Sequence, residues 1–279
     1  MTVQTAGPVA GQGVEAAPGT PDRFAFGANW ARFLETLDDR AIAEADAALA
    51  RLLGTRALAG QRVLDIGSGS GLHSLAAWRL GADVTSFDYD ADSVACTRTL
   101  QGRYAGDDAR WRVVGQGSVL DRAFLERLGT FDVVYSWGVL HHTGALRQAV
   151  DNAIARVRPG GRLVIALYND QGWISDYWIR VKRWYNAGPV GRVAMTVAHL
   201  PYLALRVLVR LARGRLALER GMSLWHDYVD WLGGWPFEVA SPATVAGWVA
   251  PAGFVLEREF LVGNRQGCNE FVFVHRAAS

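Results

Sequence analysis

The sequence predicts an α/β protein built on a doubly wound, mostly parallel sheet, with helices at its N-terminus and a helical cap inserted late in the chain. Three observations carry this reading. Short β-branched or aromatic runs at Arg62 to Ile66, Asp83 to Phe87, Phe131 to Trp137 and Arg162 to Tyr168 alternate with helical patterns, the signature of a parallel sheet with crossover helices. A glycine-rich turn directly follows the first run, where folds of this class receive ligands beyond the carboxyl ends of their strands. Two later runs, Phe254 to Val262 and Glu270 to His275, are joined only by Gly263 to Asn269 and read as an antiparallel closing pair.

In chain order, residues 1–22 combine Gly, Ala, Pro and Thr without a basic start or an apolar centre, so they are expected to form a disordered tail rather than a signal peptide or span. Residues 23–59 read as a helical cover: Phe26, Trp30, Phe33, Leu34 and Leu37 make one stripe, and Ile42, Ala45, Leu49 and Leu52 make a second. These two helices are expected to close over the ligand. Residues 60–168 and 241–279 form the core. Within it Leu72, Leu75, Ala76 and Leu80 share a helical face, as do Leu146, Ala149, Val150, Ala153, Ile154 and Val157, before Arg158-Pro159-Gly160-Gly161 ends the helix.

Residues 169–240 stand where a minimal fold of this kind has a short connection. This inserted cap holds six of the eleven tryptophans: Trp173, Trp178, Trp184, Trp225, Trp231 and Trp235. Such aromatic density suits an organic or lipid-like ligand, and equally a helical subdomain with a core of its own. The cap segment "VAMTVAHLPYLALRVLVRLARGR" falls short of the roughly 20 apolar residues that a membrane span requires. It could lie on a bilayer, form a dimer face or pack on the core. No integral membrane association is expected, peripheral contact stays open, and the chain is read as a monomer or homodimer.

Composition narrows the function classes. The net charge of 279 residues is only +2, and no basic face with interleaved aromatics appears, so no nucleic acid partner is expected. Lys182 is the only lysine, and the preference for arginine is read as coding bias. Cys96 and Cys268 are too few for a disulfide framework and lack metal-ligand spacing, which points to a reducing, cytoplasmic setting and no metal.

The stretch "VLDIGSGSGLHS", residues 63–74, carries the chemistry. Counted from Gly67 or from Gly69, the third glycine of a dinucleotide fingerprint is missing, and no Gly-Lys-Ser/Thr ending of a phosphate loop is present. Asp65 stands just before the turn, where a carboxylate would repel a pyrophosphate but favour a cation. Asp88, at the end of the second strand, suits vicinal ribose hydroxyls. A cationic amino acid joined to adenosine satisfies both.

Together "VLDIGSGSG", "FDYD", "GQGSVLD", "FDVVYSWGVLHH" and "RPGGRLVIALYND" resemble the class I S-adenosylmethionine-dependent methyltransferases, especially their small-molecule and quinone-ring branch. The resemblance covers residues 60–168 well and 241–279 loosely, and it implies a seven-stranded sheet of Rossmann-like type. It implies that Asp65, Gly67, Ser68, Gly69 and Gly71 cradle the methionine part of the cofactor and that Asp88 holds the ribose. Tyr89 would lie along the adenine, Ser118 and Val119 would meet its edge, and Trp137 would close the pocket below the sulfonium. Tyr89 and Trp137, at strand ends, are read equally well as core packing.

The expected reaction is in-line transfer of the methyl group to oxygen or nitrogen of a small organic acceptor, with S-adenosylhomocysteine as product. Alignment supplies most of the rate. One histidine of "VLHH", His141 or His142, is expected to take the acceptor's proton, with His141 slightly preferred. Tyr168, Asn169, Trp173 and Trp178 are expected to bind the acceptor. Two other readings stay open: a methylase of a lipid or quinone-like acceptor at the membrane surface, and a module that binds S-adenosylmethionine without turnover.

Overall fold

The computed structural model describes residues 30, 33–212, 228 and 231–276. The tail expected over 1–22, Phe26 of the first stripe and Trp225 of the cap lie outside them. The chain runs α1 (Asp39–Leu53), β1 (Arg62–Ile66), α2 (Leu72–Arg79), β2 (Asp83–Asp88), α3 (Ala91–Tyr104), β3 (Trp111–Gln116), α4 (Arg122–Leu128) and β4 (Phe131–Trp137). A 3-10 turn, Leu140–His142, leads to α5 (Leu146–Ile154) and β5 (Val157–Tyr168). Then come α6 (Trp173–Asn186), α7 (Pro189–Ala198), α8 (Leu200–Ala212), α9 (Pro242–Val249), β6 (Phe254–Phe260) and β7 (Cys268–His275).

The seven strands make one sheet in the order β3-β2-β1-β4-β5-β7-β6. The first five are parallel, and β7 pairs antiparallel with both β5 and β6. Because β1 lies between β2 and β4, crossovers leave it in opposite directions, and the crevice over the carboxyl ends of β1 and β4 opens at that switch. Alternate side chains of each strand enter different layers. Leu64, Val134 and Leu163 pack with α5 and α9 on one face; Val63, Val133 and Val164 pack with α1, α2 and α3 on the other.

The helix starts are set locally. Asp38 caps α1 by accepting from the Ala41 amide at 2.8 Å, Asp121 caps α4 at the Phe124 amide, and Ser241 caps α9 at the Thr244 amide. By contrast α2 begins at Gly71 without a side-chain cap, so its first turn opens on the glycine loop.

Two elements differ from the sequence expectation. The strand Trp111–Gln116 is not among the runs the sequence predicts; it is an edge strand whose exposed and half-buried positions carry no clean alternation. The segment Arg158–Gly161 does not end the preceding helix, which stops at Ile154. It belongs to β5, whose register against β4 shifts between Phe131 and Val133. Glycine is required there, because a Cβ on Gly161 would meet the Asp132 carbonyl oxygen at 2.8 Å.

Between β5 and α9, helices α6–α8 and the 231–240 stretch gather around a cluster of their own: Trp178, Val181, Tyr185, Tyr228, Leu232 and Phe237. No residue of α7 is buried, and Val190, Val193, Val197, Leu205 and Leu208 are exposed along α7 and α8. Among the described residues no single helix is long and apolar enough to cross a membrane; α7 and Leu200–Val209 reach that length only as a pair bent by 43°.

Candidate active site

A cavity of about 740 Å³ fills the crevice. Its floor is the glycine loop. At Gly67, φ is +77°, and a Cβ would lie 2.4 Å from Val139 Cγ1. The bare backbone lets the Gly67 and Ser68 amides both donate to the Phe87 carbonyl, at 3.0 and 3.1 Å, locking β1 to β2. Ser68 Oγ lies 2.9 Å from Thr97 Oγ1, which donates to the Gly69 carbonyl at 3.1 Å. Gly71 is not on the cavity wall; its φ of +84° starts α2.

Two carboxylates face this loop. Asp88 accepts from the Gly69 amide at 2.8 Å and from the Asp90 amide at 2.9 Å, so it ties the loop to the end of β2. Burial pushes its pKa up while those amides oppose the shift. Asp65 is buried, and burial raises its carboxyl from 3.8 to about 7, against the pull of Ser74 and with Asp88 adding to the rise. Among the described residues it has no cationic partner. A buried chain supports it: Trp111 Nε1 donates to Ser86 Oγ at 3.0 Å, the Ser86 and Ser74 hydroxyls are 2.7 Å apart, and Ser74 donates to Asp65 Oδ2 at 2.5 Å.

Further along the crevice, Tyr89, Ser118 and Val119 line the cavity; the Tyr89 carbonyl accepts from Gln116 Nε2 and the Val119 carbonyl from Asn152 Nδ2. Trp137 lines it too, with its indole nitrogen on Glu270 Oε1 at 2.9 Å and its ring stacked 6.3 Å from His73.

The two histidines separate. His141 is fully buried and off the cavity wall: its ring lies 3.9 Å from that of Tyr168, and its Nδ1 accepts from the Tyr168 amide at 3.3 Å. Its Nε2 has no hydrogen-bond partner, and burial, then the neighbouring His142 and Lys182, hold its pKa well below 6.5. His142 is half-buried and lines the cavity, with Nδ1 2.6 Å from the Pro236 carbonyl. A carbonyl only accepts, so Nδ1 carries the proton and Nε2 of the neutral ring carries the lone pair. Of the pair, His142 and not the slightly preferred His141 is the one on the cavity wall.

Of the expected acceptor residues, only Tyr168 reaches the cavity. Asn169 instead staples the end of β5, donating to the Gly263 carbonyl and accepting from Asn269 Nδ2, both at 2.8 Å. Trp173 is 76 % exposed and lies outside the cavity. Trp178 is buried one layer behind, its ring 5.3 Å from that of Trp231, and Trp231 is the one on the wall. Trp30 and Phe33 close the cavity from the N-terminal side, and Trp235, Lys182, Gln266 and Cys268 close it from the cap and the β6–β7 loop. Reading the arginine preference as coding bias passes over Lys182. The signal that could have found it was its being the single lysine in a chain whose other basic residues are arginines. Among the described residues no cluster of His, Cys, Asp or Glu could hold a metal ion.

A family model described as a methyltransferase domain matches residues 35–215. A ubiquinone biosynthesis O-methyltransferase of Xanthomonas oryzae pv. oryzae is 40% identical over 113 residues, which is 40% of this chain and 45% of that protein. The protein of the same name from Bordetella avium is 33% identical over 112 residues, 40% of this chain and 44% of that one. The chain thus matches under half the length of these curated relatives. Among solved structures, magnesium protoporphyrin IX methyltransferase from Synechocystis PCC 6803, with bound SAH, aligns with a TM-score of 0.52 at 15% identity, covering 85% of this chain and 83% of that one. A putative methyltransferase of Haloferax volcanii, in complex with the Trm112 activator, also gives 0.52 at 15% identity, covering 91% and 99%. At such identities the likeness is one of fold.

Proposed function

The chain belongs to the methyltransferase family, and from that premise we propose that it binds S-adenosylmethionine over the glycine loop and methylates oxygen or nitrogen of a small organic acceptor held under the cap. One observation carries the proposal: a buried carboxyl, Asp65, stands without a cation among the described residues, beside a backbone that leaves no room for a Cβ. A positively charged, closely approaching ligand relieves both. Gly67, Ser68 and Gly69 would hold the methionine part, Asp88 the ribose, and Tyr89, Ser118 and Val119 the adenine. When bound, the cofactor supplies a methyl group activated by its sulfonium.

The chain's own residues do the rest. Trp137, stacked with His73, excludes water below the reacting centre. His142 offers Nε2 to the acceptor's proton because Pro236 holds the proton of Nδ1, and a positioned base of this kind contributes about 10² to 10⁴ in rate. Tyr168, Trp231 and Trp235 give the acceptor side aromatic walls, so residues 169–240 act as its cap over a core of 60–168 and 241–279.

Calorimetric titration with S-adenosylhomocysteine tests the reading. Asp88→Ala should lose about ten- to a hundredfold in affinity, since a charge-assisted hydrogen bond contributes roughly 1.5–3 kcal/mol. Unchanged affinity, or binding of NAD in its place, would sink the assignment. His142→Gln should slow methyl transfer to catechol about 10²-fold or more with cofactor affinity preserved; a wild-type rate and pH profile would mean that positioning alone operates.

A second reading is favoured by the exposed apolar side chains of α7 and α8: the acceptor is quinone-like and lipid-borne, met at a membrane surface. The names of the ubiquinone-pathway relatives support it. Co-sedimentation with anionic liposomes separates it from a freely dissolved acceptor.

A further inference from the structure

We infer that Lys182 is the anion-binding group of the acceptor pocket, so that the acceptor is an organic acid of aromatic body whose negatively charged oxygen sits against the Lys182 ammonium. The inference rests on the methyltransferase reading for the word acceptor; the anion site itself does not depend on it.

The sequence places a lysine where an amphipathic helix keeps its apolar stripe. Trp178, Val181, Lys182 and Tyr185 follow the i, i+3, i+4, i+7 spacing of α6, and all four are buried. Lysines that pack their stems on apolar surface normally return the charged head to water. Lys182 does not: it is 1 % exposed, yet it lines the cavity. Its Nζ donates to the Trp231 carbonyl and lies 4.3 Å from the ring centre of Trp231 and 4.7 Å from that of Phe237. An ammonium has three donors, and no carboxylate pairs with this one among the described residues.

A charge buried with one carbonyl and two aromatic faces is incompletely compensated. Burial accordingly lowers the Lys182 pKa from 10.5 to about 7. Among the described residues, the titratable groups around it include no carboxylate. His142 and Tyr168 share the cavity, His141 is held neutral behind Tyr168, and Tyr185 and Tyr228 belong to the cap cluster. An anion entering the cavity would complete the ammonium's shell, while the walls of Trp231, Trp235 and Tyr168 match a planar aromatic body.

Because Lys182 is the only lysine, isotope labelling of lysine at Cε gives a single side-chain probe in the intact protein. Its NMR pH titration is expected near 7 without ligand and at least one unit higher with saturating benzoate, while benzamide, the uncharged analogue, leaves it in place. Benzoate affinity should then be constant below about pH 7 and fall by up to tenfold per unit above it, as the free ammonium loses its proton. Lys182→Met should lower benzoate affinity at least tenfold and leave benzamide unaffected. Titration near the ordinary value of lysine, no movement with benzoate, or equal movement with benzamide would overturn the inference. So would a full shift with S-adenosylhomocysteine alone, which would assign the anion to the cofactor's carboxylate. None of these readings needs catalysis, so failure here is distinguishable from failure of the methyltransferase proposal.

Discussion

Asp65→Asn is expected to make the protein more stable and to strip it of cofactor affinity. Folding raises the Asp65 carboxyl from 3.8 to about 7, so the folded chain binds this proton more tightly than the unfolded chain. Stability from this group is therefore greatest below about pH 4, falls as pH rises, and reaches its full deficit above about 7; at 1.36 kcal/mol per unit the deficit is on the order of 4 kcal/mol. Asparagine carries no such charge and can still accept from the Ser74 hydroxyl. Urea unfolding at pH 8 should show the variant more stable by up to about 4 kcal/mol, with the gap closing near pH 4. Calorimetry with S-adenosylmethionine should show at least a hundredfold loss, the usual scale for breaking a buried charge interaction, about 3–5 kcal/mol. Equal stability at both pH values with unchanged affinity would remove Asp65 from the cofactor site.

Gly67→Ala should do the opposite to stability. The new Cβ meets Val139 Cγ1 at 2.4 Å and Cγ2 at 2.5 Å, and the backbone is held at φ +77°. Overpacking of this kind costs about 1–3 kcal/mol and a left-handed alanine about 1 kcal/mol more. The sum, roughly 2–4 kcal/mol, should appear as a lowered urea midpoint. Relief of the clash would also move the Gly67 and Ser68 amides off the Phe87 carbonyl and weaken cofactor binding. Adding Val139→Ala separates the two parts: the steric share should return and the backbone share should not. A double variant no better than the sum of the singles would mean that Val139 is not the obstacle.

What the sequence disclosed was local. The turn after β1 is legible because bare glycines and a preceding acid sit within a few residues, and the parallel sheet because its strands are short apolar runs between helical patterns. What it hid was set by distance and by helical phase. His141 and His142 are neighbours, but which one is buried depends on Tyr168 and Pro236, and the latter is 94 residues away. Trp173 and Trp178 belong to one helix five residues apart, about 140° around its axis, so an aromatic count cannot say which turns inward. Asn169 at the end of β5 reads as a ligand group, but Gly263 of the β6–β7 loop and Asn269 of β7 take up the two ends of its amide. Lys182 was hidden by its chemistry, since an isolated lysine in an apolar stripe ordinarily signals a surface position.

The buried chain from Trp111 to Asp65 has one direction when the acid is ionised. Ser74 has one hydrogen and gives it to the ionised Asp65, so its oxygen receives from Ser86, whose oxygen in turn receives from the Trp111 indole. The edge strand β3, outermost on its side of the sheet, thus reaches an acid two strands away: its tryptophan heads a relay of donors that ends on the Asp65 carboxylate, so a change at the rim of the sheet is felt at the glycine loop.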